Sequence, residues 1–191
     1  MNGVRLLSIT RDFYSFLRDV NQHTELVICA HGWRNHVVRN GEYLDAARLR
    51  ELITGWGVAF NKIIIASCYS VFLDPSTVHQ RLRCLDSYGY QDTLACKLSG
   101  YFPNVRVVGF IGEVTTSVDN PQAWDLYDTI NEETGQGLLE MTLSVGFDII
   151  FNAEVSAKIK NPCRYIEFLN GVPCQQYSPV INVNNYVLTQ L

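Results

Sequence analysis

The sequence predicts an α/β fold built on a mainly parallel central sheet. Three observations carry that reading. Two short apolar runs, residues 26–30 and 63–66, are continuous rather than alternating, the mark of strands covered on both faces. Helix-length segments separate the predicted strands, as crossover connections between parallel strands require. Each run is also followed by reactive residues, His31-Gly32 after the first and Ser67-Cys68 after the second. Open parallel sheets gather their ligands at that carboxyl edge.

Residues 4–10 make a short first strand. In Arg11-Asp-Phe-Tyr-Ser-Phe-Leu-Arg-Asp19, the residues Phe13, Phe16 and Leu17 stand at the spacing of one helical face, which predicts a helix closed by the polar residues 21–24. The strand over 26–30 follows, then a loop over 31–41 that ends on the turn signal Asn40-Gly41. Tyr43, Leu44, Ala47, Leu49, Leu52 and Ile53 approximate a helical stripe, which Gly55-Trp56-Gly57 stops. The run Ile63-Ile64-Ile65 favours strand, because branching at Cβ restricts χ1 and suits a pleated surface.

Beyond Cys68, Pro75 disfavours helix at Asp74, and residues 77–85 read as a short helix or as part of an elaborated loop. Leu94, Ala95, Leu98 and Tyr101 share a helical face, Pro103-Asn104 ends it, and residues 105–111 form the next strand up to Gly112. The predicted order is therefore β-α-β-α-β-α-β. Residues 115–137 read as a long polar loop with a short helix near 123–130, and 138–148 as a helix carrying Leu139, Leu143 and Phe147. Residues 164–169 and 172–177 predict a C-terminal hairpin about Asn170-Gly171.

A chain of 191 residues suits one domain, which at this size buries about 70% of the surface that the unfolded chain exposes. The expectation is a single domain over 1–191, with a sheet core in 1–113 and with 114–191 completing it. A net charge of −4 with scattered basic residues argues against nucleic acid or an anionic membrane as partner. No apolar run approaches the ~20 residues that span a bilayer. The six cysteines show no C-x-x-C spacing and read as free thiols of a reducing cytosol, whether a bacterial cytosol or a host cytosol reached by a delivered effector. No His/Cys spacing matches a zinc site, so no metal and no cofactor is expected.

The chemistry of the two strand ends follows from the residue types. A thiol becomes a strong nucleophile as a thiolate, and a neighbouring imidazole can take its proton. His31 and Cys68 therefore form a candidate catalytic base and nucleophile. The backbone amides of Gly32 and Cys68 are candidates for the oxyanion hole, glycine permitting close approach of the main chain to a substrate. Thirty-seven positions separate His31 from Cys68, enough for one crossover between adjacent strands about 4.8 Å apart. Trp33, Asp74 and Glu113 are candidates for the wall of a substrate pocket, in which an acidic group would favour a basic side chain. Solvated loop carboxylates give the plainer account of Asp74 and Glu113, and Cys29, within the first apolar run, reads as core.

Two blocks, Leu26-Val-Ile-Cys-Ala-His31-Gly32 and Ile63-Ile-Ile-Ala-Ser-Cys68, resemble the two hydrophobic blocks of the caspase-like cysteine peptidases. That group includes caspases, legumains, gingipains, separases, the self-processing domains of bacterial toxins and CHAT-domain peptidases. Val105-Arg-Val-Val-Gly-Phe-Ile-Gly112 looks like the strand that follows, so the likeness covers about residues 4–113. An α/β-hydrolase would need a Gly-x-Ser-x-Gly elbow, which Ser67-Cys-Tyr-Ser70 lacks. The resemblance implies a three-layer α/β/α caspase-like fold and a cysteine endopeptidase acting on a protein or peptide substrate through a thioester. A catalytically inactive interaction module on the same fold is the alternative of a different class. An acyl transferase or deamidase would share the thioester chemistry.

Overall fold

The computed structural model of the chain describes residues 3–71, 90–118, 142–143, 146–147, 149–151, 165–177 and 187–188. The chain opens as three consecutive antiparallel strands, β1 (Val4–Thr10), β2 (Phe13–Val20) and β3 (His23–Ala30). Two-residue turns join them, and at the second both Asn21 and Gln22 take positive φ (49° and 70°), the geometry that matches the twist of a tight hairpin. A small antiparallel sheet follows, of β4 (Gly32–Trp33), β5 (His36–Arg39) and β6 (Glu42–Leu44). Next come α1 (Ala46–Gly55) and β7 (Lys62–Ala66), then a short 3₁₀ turn (Tyr90–Asp92), α2 (Leu94–Tyr101) and β8 (Arg106–Phe110). The later strands are β9 (Val114–Thr116), β10 (Ile149–Phe151), β11 (Tyr165–Leu169), β12 (Val172–Tyr177) and β13 (Val187–Leu188).

The main sheet has seven strands in the order β1-β2-β3-β7-β8-β11-β12. Only β3 with β7 and β7 with β8 pair in parallel; the other four pairings are antiparallel, so the expectation of a mainly parallel sheet is corrected. The central reason is residues 13–19, predicted as helix and found as β2. Phe13, Tyr14, Ser15, Phe16 and Leu17 are all buried, because the strand lies between two others and is covered on both faces. The helical spacing of Phe13, Phe16 and Leu17 is incidental to a run buried throughout. The β-α-β-α start is accordingly replaced by three consecutive strands. The loop expected over 31–41 contains β4 and β5, with Asn40 and Gly41 forming the predicted turn at φ 52° and 72°.

The helix expected from Tyr43 begins at Ala46, with Tyr43 and Leu44 in β6 instead, and the rest of that stripe is helical as expected. Asp45 caps α1 by accepting the Arg48 N–H at 2.9 Å, and the helix ends at Gly55, with Gly57 at φ 61° just beyond. The C-terminal hairpin is β11 and β12, turning on Asn170 and Gly171 with Leu169 opposite Val172. The segments read as helix near 77–85 and 123–130 lie outside the described residues. Of the helix expected over 138–148, residues 142–143 are helical and β10 begins at Ile149.

Alternation along the central strands divides the core. Leu26, Ile28, Ile63, Ile65 and Val107 pack with Leu49 and Ile53 of α1 and with Leu94 and Leu98 of α2. Val27, Cys29, Ile64, Ala66 and Val108 face the opposite way, against Tyr14, Phe16, Val114, Leu143, Phe147 and Ile149. The protein is thus a mixed α/β fold with α1 and α2 over one sheet face and with β9, β10, Leu143 and Phe147 over the other. Charge gathers at the amino ends of the parallel strands. There Arg18 meets buried Glu25 at 2.9 Å, while buried Glu167 pairs with Arg106 at 3.0 Å and Lys62 at 3.9 Å. The opposite, carboxyl edge carries the candidate site.

Candidate functional site

Register brings the two reactive residues to the same edge. Cys29 of β3 lies opposite Ala66 of β7 in the parallel ladder, and His31 and Cys68 each stand two residues past that pair. The His31 side chain is exposed and makes no hydrogen bond or ion pair with any described residue.

Close packing then joins the two loops. Gly32 lies so near the Ser67 hydroxyl that a built Cβ would overlap it, and the same Cβ would sit 2.7 Å from the His36 carbonyl oxygen. Ser67 is buried, and its Oγ has no hydrogen-bond partner among the described residues. From the other side, the Arg34 carbonyl accepts the Leu94 N–H at 2.8 Å, satisfying a first-turn donor of α2 and tying the β4–β5 turn to that helix.

The turn after β7 is fixed to β8. Buried Ser70 donates through Oγ to the Ile65 carbonyl at 3.3 Å and accepts the Phe110 N–H at 2.8 Å. The Tyr69 N–H donates to the Gly112 carbonyl at 2.8 Å, the Val71 N–H to Phe110 at 2.9 Å, and the Ser67 N–H to Ile65 at 2.9 Å. The Cys68 N–H donates to no other described residue. Val38 donates to the His31 carbonyl at 2.8 Å, so the next pair, Gly32 and Val37, is a non-hydrogen-bonded one and the Gly32 N–H points away from β5. Both candidate oxyanion donors therefore stand outside the sheet ladders.

Cys68 is half-buried and its Sγ donates to the Val114 carbonyl of β9 at 3.5 Å. Burial is the largest influence on this thiol and raises its pKa above the ordinary value. A backbone contact at Val114 partly offsets the rise, and the Glu113 carboxylate adds to it. At neutral pH the resting sulfur is a thiol. The other described cysteines are free as well. Cys29 sits in the core as expected, and burial lifts its thiol to about 12. Cys96 is lifted by burial to about 11 and donates to the Gly171 carbonyl at 3.1 Å.

Of the expected pocket residues, Trp33 and Glu113 come to this edge and Asp74 lies outside the described residues. The Trp33 ring, 48% exposed, tilts over Tyr69 with ring centroids 4.5 Å apart. The Tyr69 phenol hydrogen-bonds the Glu113 side chain, and burial together with that carboxylate raises the phenol's pKa. Sequence reasoning did not single out Tyr69, and nothing in a tyrosine after a cysteine signals the positive φ of 55° that it adopts. Ser70 carried no signal either, since a lone serine after a strand reads as loop. Among the described residues, no three His, Cys, Asp or Glu side chains converge as a metal site, and no helix is long and apolar enough to cross a membrane.

No protein-family model, curated protein or solved structure matches the chain.

Proposed function

We propose that the chain is a cysteine endopeptidase of caspase-like type that cuts a peptide bond with His31 and Cys68. One observation carries the reading: an imidazole and a thiol stand two residues beyond the same cross-strand pair, Cys29 and Ala66, at the carboxyl edge of a parallel ladder. The Gly32 and Cys68 amides beside them, which stand outside the sheet ladders of the described residues, support it.

In this mechanism the Cys68 proton passes to His31 as sulfur attacks the scissile carbonyl carbon, and the carbonyl oxygen takes negative charge against the Gly32 and Cys68 N–H groups. Collapse breaks the C–N bond, the imidazolium gives its proton to the leaving amine, and the acyl group remains on sulfur as a thioester. Water attacks the thioester, His31 takes its proton, and the returning thiolate is reprotonated. Because burial keeps the resting sulfur protonated, the thiolate forms only once bound substrate brings the imidazole to it. Trp33 and Glu113 flank the approach as the pocket wall, and the free cysteines suit a reducing cytosol.

A non-catalytic interaction module is the second reading, favoured by the bond from the Cys68 thiol to Val114 rather than to an imidazole. Incubating a diverse peptide library with the wild type, Cys68→Ala and His31→Ala and sequencing new termini by mass spectrometry separates the two. Cleavage by the wild type that both variants lose supports the peptidase. Folded wild-type protein that leaves the library intact, like both variants, overturns it, and an amide converted to acid without chain cleavage identifies a deamidase.

A further inference from the structure

We propose that Tyr69 is a positioning residue, whose left-handed backbone sets the orientation of the Cys68 peptide and whose ring ties the His31 loop to it. The inference rests on the cysteine-peptidase reading of the same site. Of the other described non-glycine residues with positive φ, four are Asn (Asn21, Asn40, Asn104 and Asn170), whose short polar side chain eases that conformation, and the fifth, Gln22, sits beside Asn21 in the tight β2–β3 turn. Tyr69 is aromatic, follows the candidate nucleophile, and holds φ 55° at a real steric cost. Such a conformation persists only where the surroundings over-determine it, and here they do. Its N–H is bound to Gly112 at 2.8 Å, its ring meets Trp33 at 4.5 Å, and its phenol bonds Glu113.

The next residues give the strain a direction. Ser70 and Val71 are locked to β7, β8 and α2 by the Ser70 Oγ bonds to Ile65 and Phe110, the Val71 bond to Phe110, and the Ala95 N–H donating to the Ser70 carbonyl at 3.2 Å. A change in φ at Tyr69 cannot be absorbed on that side, so the Cys68–Tyr69 peptide must turn instead. That peptide carries the Cys68 carbonyl and the Tyr69 N–H bound to Gly112, so the left-handed conformer fixes the carbonyl side of Cys68 and, through its Cα, the direction of the Ser67–Cys68 amide and of the sulfur held against Val114. Trp33 lies two residues past His31, so the Trp33–Tyr69 contact carries the same restraint to the imidazole's loop.

The test compares Tyr69→Ala, which removes the ring that holds the strained positive φ, with Tyr69→Gly, which lacks the ring but adopts positive φ freely. Iodoacetamide modification is followed at each cysteine by mass spectrometry, alongside kcat and KM on a peptide that the wild type cleaves. The expected result is that Tyr69→Ala speeds alkylation of Cys68 severalfold while the buried Cys29 and Cys96 stay protected, as Cys68 swings free of Val114. Its kcat falls by about 10²-fold with KM little changed, the size of effect expected when an oxyanion donor is misplaced. Tyr69→Gly recovers part of both. General destabilisation would expose all three cysteines together, and that result overturns the proposal, as does wild-type alkylation and kcat in Tyr69→Ala or a glycine variant no better than alanine. If the wild type cleaves nothing, the peptidase reading fails on its own, and the cysteine-resolved alkylation still decides the role of Tyr69.

Discussion

Gly32 and Ser67 meet without room for a side chain between them: a Cβ on Gly32 would overlap the Ser67 hydroxyl and press on the His36 carbonyl at 2.7 Å. These two residues belong to the loops that carry His31 and Cys68, so this contact sets how closely the loops approach. Gly32→Ala is expected to cost about 1–3 kcal/mol of folding stability by overpacking. A displacement near 1 Å between the loops is expected to lower kcat/KM by about 10²-fold. Pairing it with Ser67→Gly should restore part of both losses. Urea titrations and steady-state kinetics on the three proteins check this.

A second glycine holds the floor of the site. A Cβ on Gly109 would lie 2.5 Å from the Ala95 Cβ and 2.6 Å from Val71 Cγ2, wedging β8 away from α2 and from the turn after Cys68. Gly109→Ala is expected to destabilise the fold by about 1–3 kcal/mol or more, since the neighbours are short side chains with nowhere to rotate. The midpoint of chemical denaturation reads it directly.

The resting Cys68 thiol has a raised pKa, from burial first and from the Glu113 carboxylate in addition, with partial relief at Val114. Alkylation of Cys68 in the substrate-free protein should therefore be slow at pH 7 and climb only above the ordinary thiol value of 9.0. Glu113→Gln removes a negative charge and should move that rise to lower pH. A pH profile of iodoacetamide labelling, resolved by cysteine, makes the comparison.

In the turn between β1 and β2, Asp12 fastens the β5–β6 turn to the first hairpin. Its carboxylate accepts the Asn40 and Gly41 N–H groups at 2.6 and 2.7 Å and the Thr10 hydroxyl at 3.1 Å. Burial opposes the charge, and these bonds outweigh it, leaving the pKa below the ordinary 3.8. A group with a depressed folded pKa stabilises the native state above the unfolded value and loses that contribution as pH falls through the folded one. Asp12→Asn should therefore cost about 1–3 kcal/mol at pH 7, and the gap to the wild type should narrow below about pH 4. Thermal melts of both proteins across that range test it.

The parts of the fold that the sequence disclosed are those where one physical signal dominates. Ile63, Ile64 and Ile65 admit little besides a strand buried on both faces, and Asn170-Gly171 with apolar flanks admits little besides a hairpin turn. Residues 13–19 misled because burial on both faces over 13–17 erases periodicity, and three of those five buried residues then fell on helical spacing. The candidate pair was readable from His31-Gly32 and Cys68 because both follow strands, and the register later set them at equal offset. What could not be read is the framework that holds them. Positive φ at Tyr69, the clamp at Ser70 and the contact of Gly32 with Ser67 are tertiary products, and no local residue pattern encodes them.

The pairing of His31 with Cys68 is tested by covalent labelling with a peptidyl acyloxymethyl ketone library, mapped by mass spectrometry on the wild type and on His31→Ala. Modification is expected at Cys68 in the wild type at neutral pH, driven by peptide binding and lost in His31→Ala, with Cys29 and Cys96 untouched. Folded wild-type protein that remains unmodified at Cys68, or that is modified equally with and without His31, would contradict it.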